Sequence, residues 1–316
     1  MAIPKWWTAV QTSVRHIFLH VRKPHFRSVE LPQPSAVIMG NLKSRRMMSG
    51  CSKWAGMKFV DAHIHLSDEE YSTCVPEIVA ESESSGVVAL VSNSMDLKTS
   101  LGSLELAERN PRFVYAALGI HPWSVQTLTE QELENMLELV RKQKGNRAVI
   151  AIGEVGLDSK YMQIWEKQLK VFDSMLHLAE DLDLPVIIHS RGTTAQVVDM
   201  LPSYRLRRVL LHWFSNPMSS LSKAVDNGYC ISEGVPTVYS EGIREVVKKV
   251  PLANLLTETD GPVRFFKPPF KGKRTTPAFI PQVVNAIAEI KGLGSDEVAD
   301  QVLSNFQQFF GLQLDS

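Results

Sequence analysis

From Phe59 onward the chain alternates short apolar runs with longer amphipathic stretches. The runs are Phe59–His63, Val87–Val91, Phe113–Leu118, Ala148–Ile152, Pro185–His189, Arg208–His212, Tyr229–Ser232 and Asn254–Glu258. Short continuous apolar runs read as strands buried on both faces. The stretches between them carry helical signals. Thr129-x-x-Glu132 is a capping box that opens a helix running to about Arg141. Within Ile164–Leu184, Leu169, Phe172, Leu176 and Leu178–Ala179 fall at near-helical spacing, and Pro281–Ile290 and Asp296–Phe309 predict two closing helices. Strands alternating with helices predict an α/β parallel sheet, and eight runs over about 200 residues predict a (β/α)8 TIM barrel.

Barrel strands are apolar inside, and active-site groups belong at their C-terminal ends. The polar residues follow that rule. Strand one ends in His63-Ile64-His65, and strand three runs into Gly119-Ile120-His121-Pro122. The fourth closes with Gly153-Glu154-Val155-Gly156-Leu157-Asp158, the fifth at His189-Ser190-Arg191 and the sixth at His212. The eighth terminates in Thr257-Glu258-Thr259-Asp260. Alternate residues of a strand share a face, so His63 and His65 can aim both imidazoles at one point, as a metal clamp does. Each residue also has an ordinary role open to it. The two histidines could be satisfied by carbonyls, Glu154 could cap a helix, His189 could be a core histidine, and Asp260 could start a turn. Taken together they would need one coincidence per strand at the same barrel face. His121, held between Gly and Pro, reads as a substrate or supporting residue, and His177, inside a helix pattern, as a surface one.

Composition narrows the class. Apolar residues make up 44% and charged residues 22%, as in a soluble globular protein. No apolar run approaches the ~20 residues that span a membrane, so no membrane partner is expected. The cysteines, Cys51, Cys74 and Cys230, are three and widely spaced, which argues for a reducing, cytoplasmic location. Net charge is zero but unevenly placed. Residues 1–57 hold nine bases and one acid, leaving 25 bases against 33 acids in the remainder. An acidic body of about −8 does not grip nucleic acid by general electrostatics, so such a substrate needs local anchors. Residues 1–57 show no sustained period. They read as an organelle leader, a disordered basic arm, or a start assigned too early with translation opening at Met57, the reading favoured here. On any of these the domains are a basic extension, 1–57, and a barrel, 58–316, and His16, His20 and His25 are spectators.

The strand-end motifs, in this order and spacing from Phe59 to Phe310, resemble the TatD family of metal-dependent hydrolases in the amidohydrolase-like barrel group. The matching segments are Val60-Asp61-Ala62-His63-Ile64-His65, Gly119-Ile120-His121-Pro122, Ile152 to Asp158, Leu184 to Arg191, the strand into His212, and Glu258-Thr259-Asp260. The resemblance implies a distorted barrel holding one or two divalent metal ions. One would be bound by His63, His65 and Asp260, the other by His189 and His212, with Glu154 bridging. It also implies a DNase acting on phosphodiesters. Four positions depart from the family pattern: Ser159 where an aromatic is usual, Met175 where the helix often has Gln, Ser215-Asn216 after Trp213-Phe214, and Arg274-Thr275-Thr276-Pro277. None removes a ligand.

His, Asp and Glu without cysteine suit zinc, manganese or magnesium. On this reading Asp260 and Glu154 are catalytic, Asp260 orienting or deprotonating water and Glu154 fixing the ions. His121 and Arg191 would hold substrate, with Lys267 or Arg274 as further phosphate contacts and the Phe266–Phe270 loop as a pocket wall. Glu233 is a weak additional candidate. Partners are nucleic acid or another phosphodiester, and oligomeric state is open. An amidohydrolase or lactonase would use the same barrel on a carbonyl, and a scaffold would keep the barrel without chemistry. Glu154 at the strand-four end, where a carboxylated lysine would otherwise stand, favours the phosphoesterase.

Overall fold

The structure, a computed structural model, describes Trp54 and residues 56–314. The extension of residues 1–53 therefore lies outside the described residues, and with it the expectations for its three histidines and its function. Eight strands form one parallel sheet in sequential order: β1 (Phe59–Ile64), β2 (Val87–Asn93), β3 (Val114–Leu118), β4 (Val149–Gly156), β5 (Val186–His189), β6 (Val209–His212), β7 (Cys230–Glu233) and β8 (Leu255–Thr257). Between and after them run α1 (Val75–Ser84), α2 (Leu97–Arg109), α3 (Glu130–Lys142), α4 (Trp165–Leu182), α5 (Thr194–Met200), α6 (Met218–Asp226), α7 (Glu241–Lys249), α8 (Ile280–Lys291) and α9 (Ser295–Phe310). The expected barrel is present. Strands are buried at every position but the half-buried Val88 and Cys230, because helices cover the outside and side chains fill the inside.

The helices form where the period demands. α3 starts at the expected box: the Thr129 hydroxyl accepts from Glu132 N at 3.2 Å and the Glu132 carboxylate accepts from Thr129 N at 2.7 Å. It then buries Leu133, Met136, Leu137 and Val140, one stripe at i, i+3, i+4 and i+7. α9 seals the end of the barrel where strands begin. Asn305 Nδ2 donates to the carbonyls of Leu252 and Leu255 at 2.7 and 2.8 Å, and Arg208 donates to the carbonyl of Phe309 at 3.0 Å. The opposite, C-terminal end is left for the loops.

The barrel departs from regularity at several seams. β8 meets β1 through side chains and loop amides: Thr257 Oγ1 donates to Val60 O at 2.6 Å, and Asp260 N to His63 O at 2.8 Å. Asp61, beside them, accepts from Thr259 Oγ1 at 2.5 Å, Thr259 N at 3.2 Å and His63 N at 3.1 Å. Register also slips between Asp61 and Ile64 and between Ile152 and Val155. Such irregularities re-aim side chains. Here they fall at His63 and Glu154.

Candidate metal centre

Six strand-end residues from five strands converge at the C-terminal face, around the Glu154 carboxylate. One oxygen, Oε2, lies 3.2 Å from His63 Nε2 and 3.2 Å from His65 Nε2. Those two nitrogens are 3.4 Å apart and stand 3.5 and 3.4 Å from Asp260 Oδ1. The other oxygen, Oε1, lies 2.8 Å from His189 Nδ1, 2.8 Å from His212 Nε2 and 3.3 Å from His121 Nε2. Glu154 thus faces two donor sets with one oxygen each. Its predicted partners His63, His65, Asp260, His189 and His212 are all in place.

The first set has the dimensions of an ion's coordination shell. Four ligands at about 2.0–2.1 Å from a tetrahedral ion are about 3.3–3.4 Å from one another. His63 Nε2, His65 Nε2 and Asp260 Oδ1 lie 3.4 to 3.5 Å from one another, and Glu154 Oε2 lies 3.2 Å from each of the two imidazoles. Hydrogen bonding alone leaves gaps in this set: His63 Nδ1 and Glu154 Oε2 are buried without a hydrogen-bond partner. These residues fit a divalent ion. The second set is drawn tighter, to hydrogen-bond distance, with His121 Nε2 also 3.2 Å from His189 Nδ1.

Charges within the cluster show the same demand for positive charge. Burial, reinforced by the neighbouring His212, holds His63 down at about 4. Burial also pulls on His65, but its bonds to Asp260 and Glu154 outweigh it and raise the imidazole to about 10. Burial acts likewise on His212 and is overcome by the charges of Glu154 and Glu258, so His212 is raised well above its ordinary value. Glu154, although desolvated, is held well below the usual carboxylate range by His121, His212 and His63.

Outer contacts set the direction in which each imidazole points. His65 Nδ1 is 3.1 Å from the Asn93 carbonyl, which places its proton there and turns the Nε2 lone pair to the cluster. His63 stacks on His212, centroids 4.0 Å apart and planes 7° apart. His189 Nε2 is 3.1 Å from Asp158 Oδ2. Asp158 was legible only as the end of a motif, yet it anchors the second set. It is fully buried, and Arg191 binds it twice, at 2.7 Å through Nη2 and 3.2 Å through Nε. Burial works against its charge, but bonds from His189, the Lys160 amide and Arg191 hold the carboxyl well below its ordinary value.

Two further features place it. Gly156, at φ +150°, lets β4 approach so closely that a Cβ there would lie 2.0 Å from the His189 carbonyl oxygen. Gln168 of α4 accepts from Asp158 N at 2.8 Å and donates to its carbonyl at 3.3 Å. Met175 itself is buried in the core. Asp158→Asn is expected to weaken metal binding or activity by roughly 10- to 100-fold, the usual effect of removing a carboxylate behind a ligand histidine. Titration calorimetry with the metal reads it, and wild-type affinity in the variant would contradict the anchoring role.

A cleft of about 630 Å³ opens above the cluster. Its walls include His121, Trp123, Arg191, Trp213 and Arg264. His121, expected to contact substrate, therefore lies both on the wall and among the donors. Burial keeps it down at about 4, hence neutral. Arg264, which the sequence did not single out, is on the wall and pairs with Glu70 at 2.8 Å. The Phe266–Phe270 loop, Lys267 and Arg274 are not, and Lys267 sits over the Tyr239 ring, 5.2 Å from its centre. Glu233 is buried beyond the cluster with neither oxygen hydrogen-bonded. His177 is on the surface, 2.7 Å from Glu180, as expected.

Eight parallel strands with imidazoles and carboxylates gathered at their C-terminal ends define the class, a metal-dependent hydrolase barrel. Residues 60–311 match the family model described as TatD related DNase, and the chain belongs to that family. It is 33% identical over 260 residues to the uncharacterized metal-dependent hydrolase YabD of Bacillus subtilis (strain 168), covering 79% of this chain and 98% of that one. It is 30% identical over 267 residues to the human deoxyribonuclease TATDN3, covering 81% and 96%. The crystal structure of YjjV, a TatD homolog from Escherichia coli K12, matches with a TM-score of 0.75 at 30% identity, over 81% of this chain and 98% of that one.

Proposed function

We propose that this protein is a divalent-metal-dependent phosphodiesterase acting on DNA. The observation that carries the reading is the division of the Glu154 oxygens between two donor sets, the arrangement a carboxylate takes between two ions. His63, His65 and Asp260 would hold one ion with Glu154, and His189 and His212 the other, while His121, whose Nδ1 accepts from the Trp123 amide, presents Nε2–H to Glu154. Bound divalent ions would lower the pKa of water toward ~7 and offset charge on the phosphoryl oxygens. Asp260 faces the cleft with its carboxylate kept ionised: burial opposes the charge, and the His65 hydrogen bond and the neighbouring histidines prevail. It orients the attacking water and takes its proton. Arg191 keeps N–H groups beyond those given to Asp158, and these point to phosphate recognition.

Nitrogen and oxygen donors without sulfur fit zinc, manganese or magnesium. The relatives named as deoxyribonucleases support DNA as the substrate. Cys74 and Cys230 are free thiols, which supports a reducing, cytoplasmic setting. No helix among the described residues is long and apolar enough to cross a membrane.

The test is a screen of purified protein against single-stranded DNA, RNA, bis-(p-nitrophenyl) phosphate and simple lactones, after chelation and after adding back each metal. Phosphodiester cleavage should vanish with chelator and return with metal. Cleavage indifferent to chelator, or confined to lactones, would overturn the reading.

A further inference from the structure

We propose that Trp123 and Arg191, both fastened to Asp158, form a nucleotide subsite beside the metal centre. Trp123 would stack a nucleobase and Arg191 would hold the phosphate next to it. The inference rests on the phosphodiesterase reading and deepens it, by naming what lies on either side of the bond that is cut.

Trp123 is 47% exposed, one of five exposed large apolar side chains among the described residues. The others, Leu101, Met162, Phe266 and Leu293, are away from the cleft; Trp123 lines it. An exposed indole on a cleft wall leaves apolar surface in water until a ligand covers it. This one is also held still. Its Nε1 donates to Asp158 Oδ2 at 3.4 Å, its amide donates to His121 Nδ1 at 3.0 Å, and its ring meets the His121 ring edge-on, centroids 4.7 Å apart. A flat surface whose orientation is fixed before binding loses little entropy when a planar ligand settles on it.

Arg191 reaches the same carboxylate from the other side, with its side chain 49% exposed. One buried carboxylate therefore sets the ligand imidazole of His189, a guanidinium and an indole in fixed relation. A cation for phosphate and an aromatic surface for a base, side by side, are the two elements that recognise single-stranded nucleic acid without reading its sequence. On an acidic body this is also where local anchoring is needed. Arg264 on the same wall is already paired with Glu70.

The experiment walks one abasic residue along a short single-stranded oligonucleotide and measures binding by anisotropy, and cleavage, with divalent metal present. Wild-type protein, Trp123→Ala and Trp123→Phe are compared. At one position, removing the base should weaken wild-type binding roughly 10- to 100-fold, the range of a single base stack. Trp123→Ala should lose that much on the intact strand and show no further loss at that position. Trp123→Phe should restore most of the dependence, and Arg191→Ala should weaken binding at every position alike. Base and Trp123 losses that simply add at all positions would overturn the subsite, with cleavage leaving the hydrolase reading intact. Base-dependent binding without cleavage would keep the subsite and overturn the hydrolase. Neither binding nor cleavage would overturn both.

Discussion

Glu154→Gln is expected to lower kcat/KM for a phosphodiester by about 10³-fold or more while the protein remains folded. Gln keeps the shape of the side chain but presents one carbonyl oxygen and one NH2 group, so only one donor set retains a lone pair facing it. Losing several kcal/mol of charge stabilisation in the transition state, at 1.36 kcal/mol per tenfold, gives that order of magnitude. Metal content is the second readout, and it should fall relative to wild type. The same carboxylate is among the groups that raise His65 and His212, so the variant is best compared with wild type by circular dichroism before assay. Wild-type turnover with an unchanged metal count would remove Glu154 from the centre of the mechanism.

The barrel was readable because its strands are buried on both faces, and all eight apolar runs lie within a few residues of the observed strands. The largest error is informative. The fourth run ends at Ile152, but β4 continues to Gly156, because Glu154 is a buried charged residue inside the strand. Local pattern fails where function places a polar group among apolar ones. The donors themselves were legible because they sit at the ends of five separate strands, and the barrel turns strand order into proximity.

What stayed hidden depends on distance across the fold. Asp158 follows Gly156-Leu157 as the end of a motif, and it also caps the turn behind it by accepting from Lys160 N at 2.8 Å. Its hold on His189 appears only once β5 lies against β4 at Gly156. Arg264 and Trp123 come from loops after β8 and β3, and no period marks which loop residue turns toward the cleft. The paired prolines in Phe266–Phe270 promised a wall and delivered a stiff loop elsewhere. Phe266 there is 80% exposed.

Asp260→Asn is expected to bring a comparable loss, about 10³-fold, by a different route. Asp260 has φ +52°, a left-handed conformation that Asn adopts as readily as Asp, so the backbone bond from its amide to the His63 carbonyl should survive. Only charge and one oxygen are removed. Both belong to an atom 3.5 and 3.4 Å from the two β1 imidazoles, where the proposed function puts an ion's ligand and the acceptor for water's proton. His63→Ala removes a ligand of the same set but also the ring against which His212 stacks, so it should disturb both sets. Combining the two substitutions should cost little more than either alone, since residues that serve one ion act as a unit. Losses that multiply, in steady-state kinetics on bis-(p-nitrophenyl) phosphate, would place Asp260 and His63 in separate roles. Full activity in Asp260→Asn would leave the water without its acceptor, and the first donor set without its purpose.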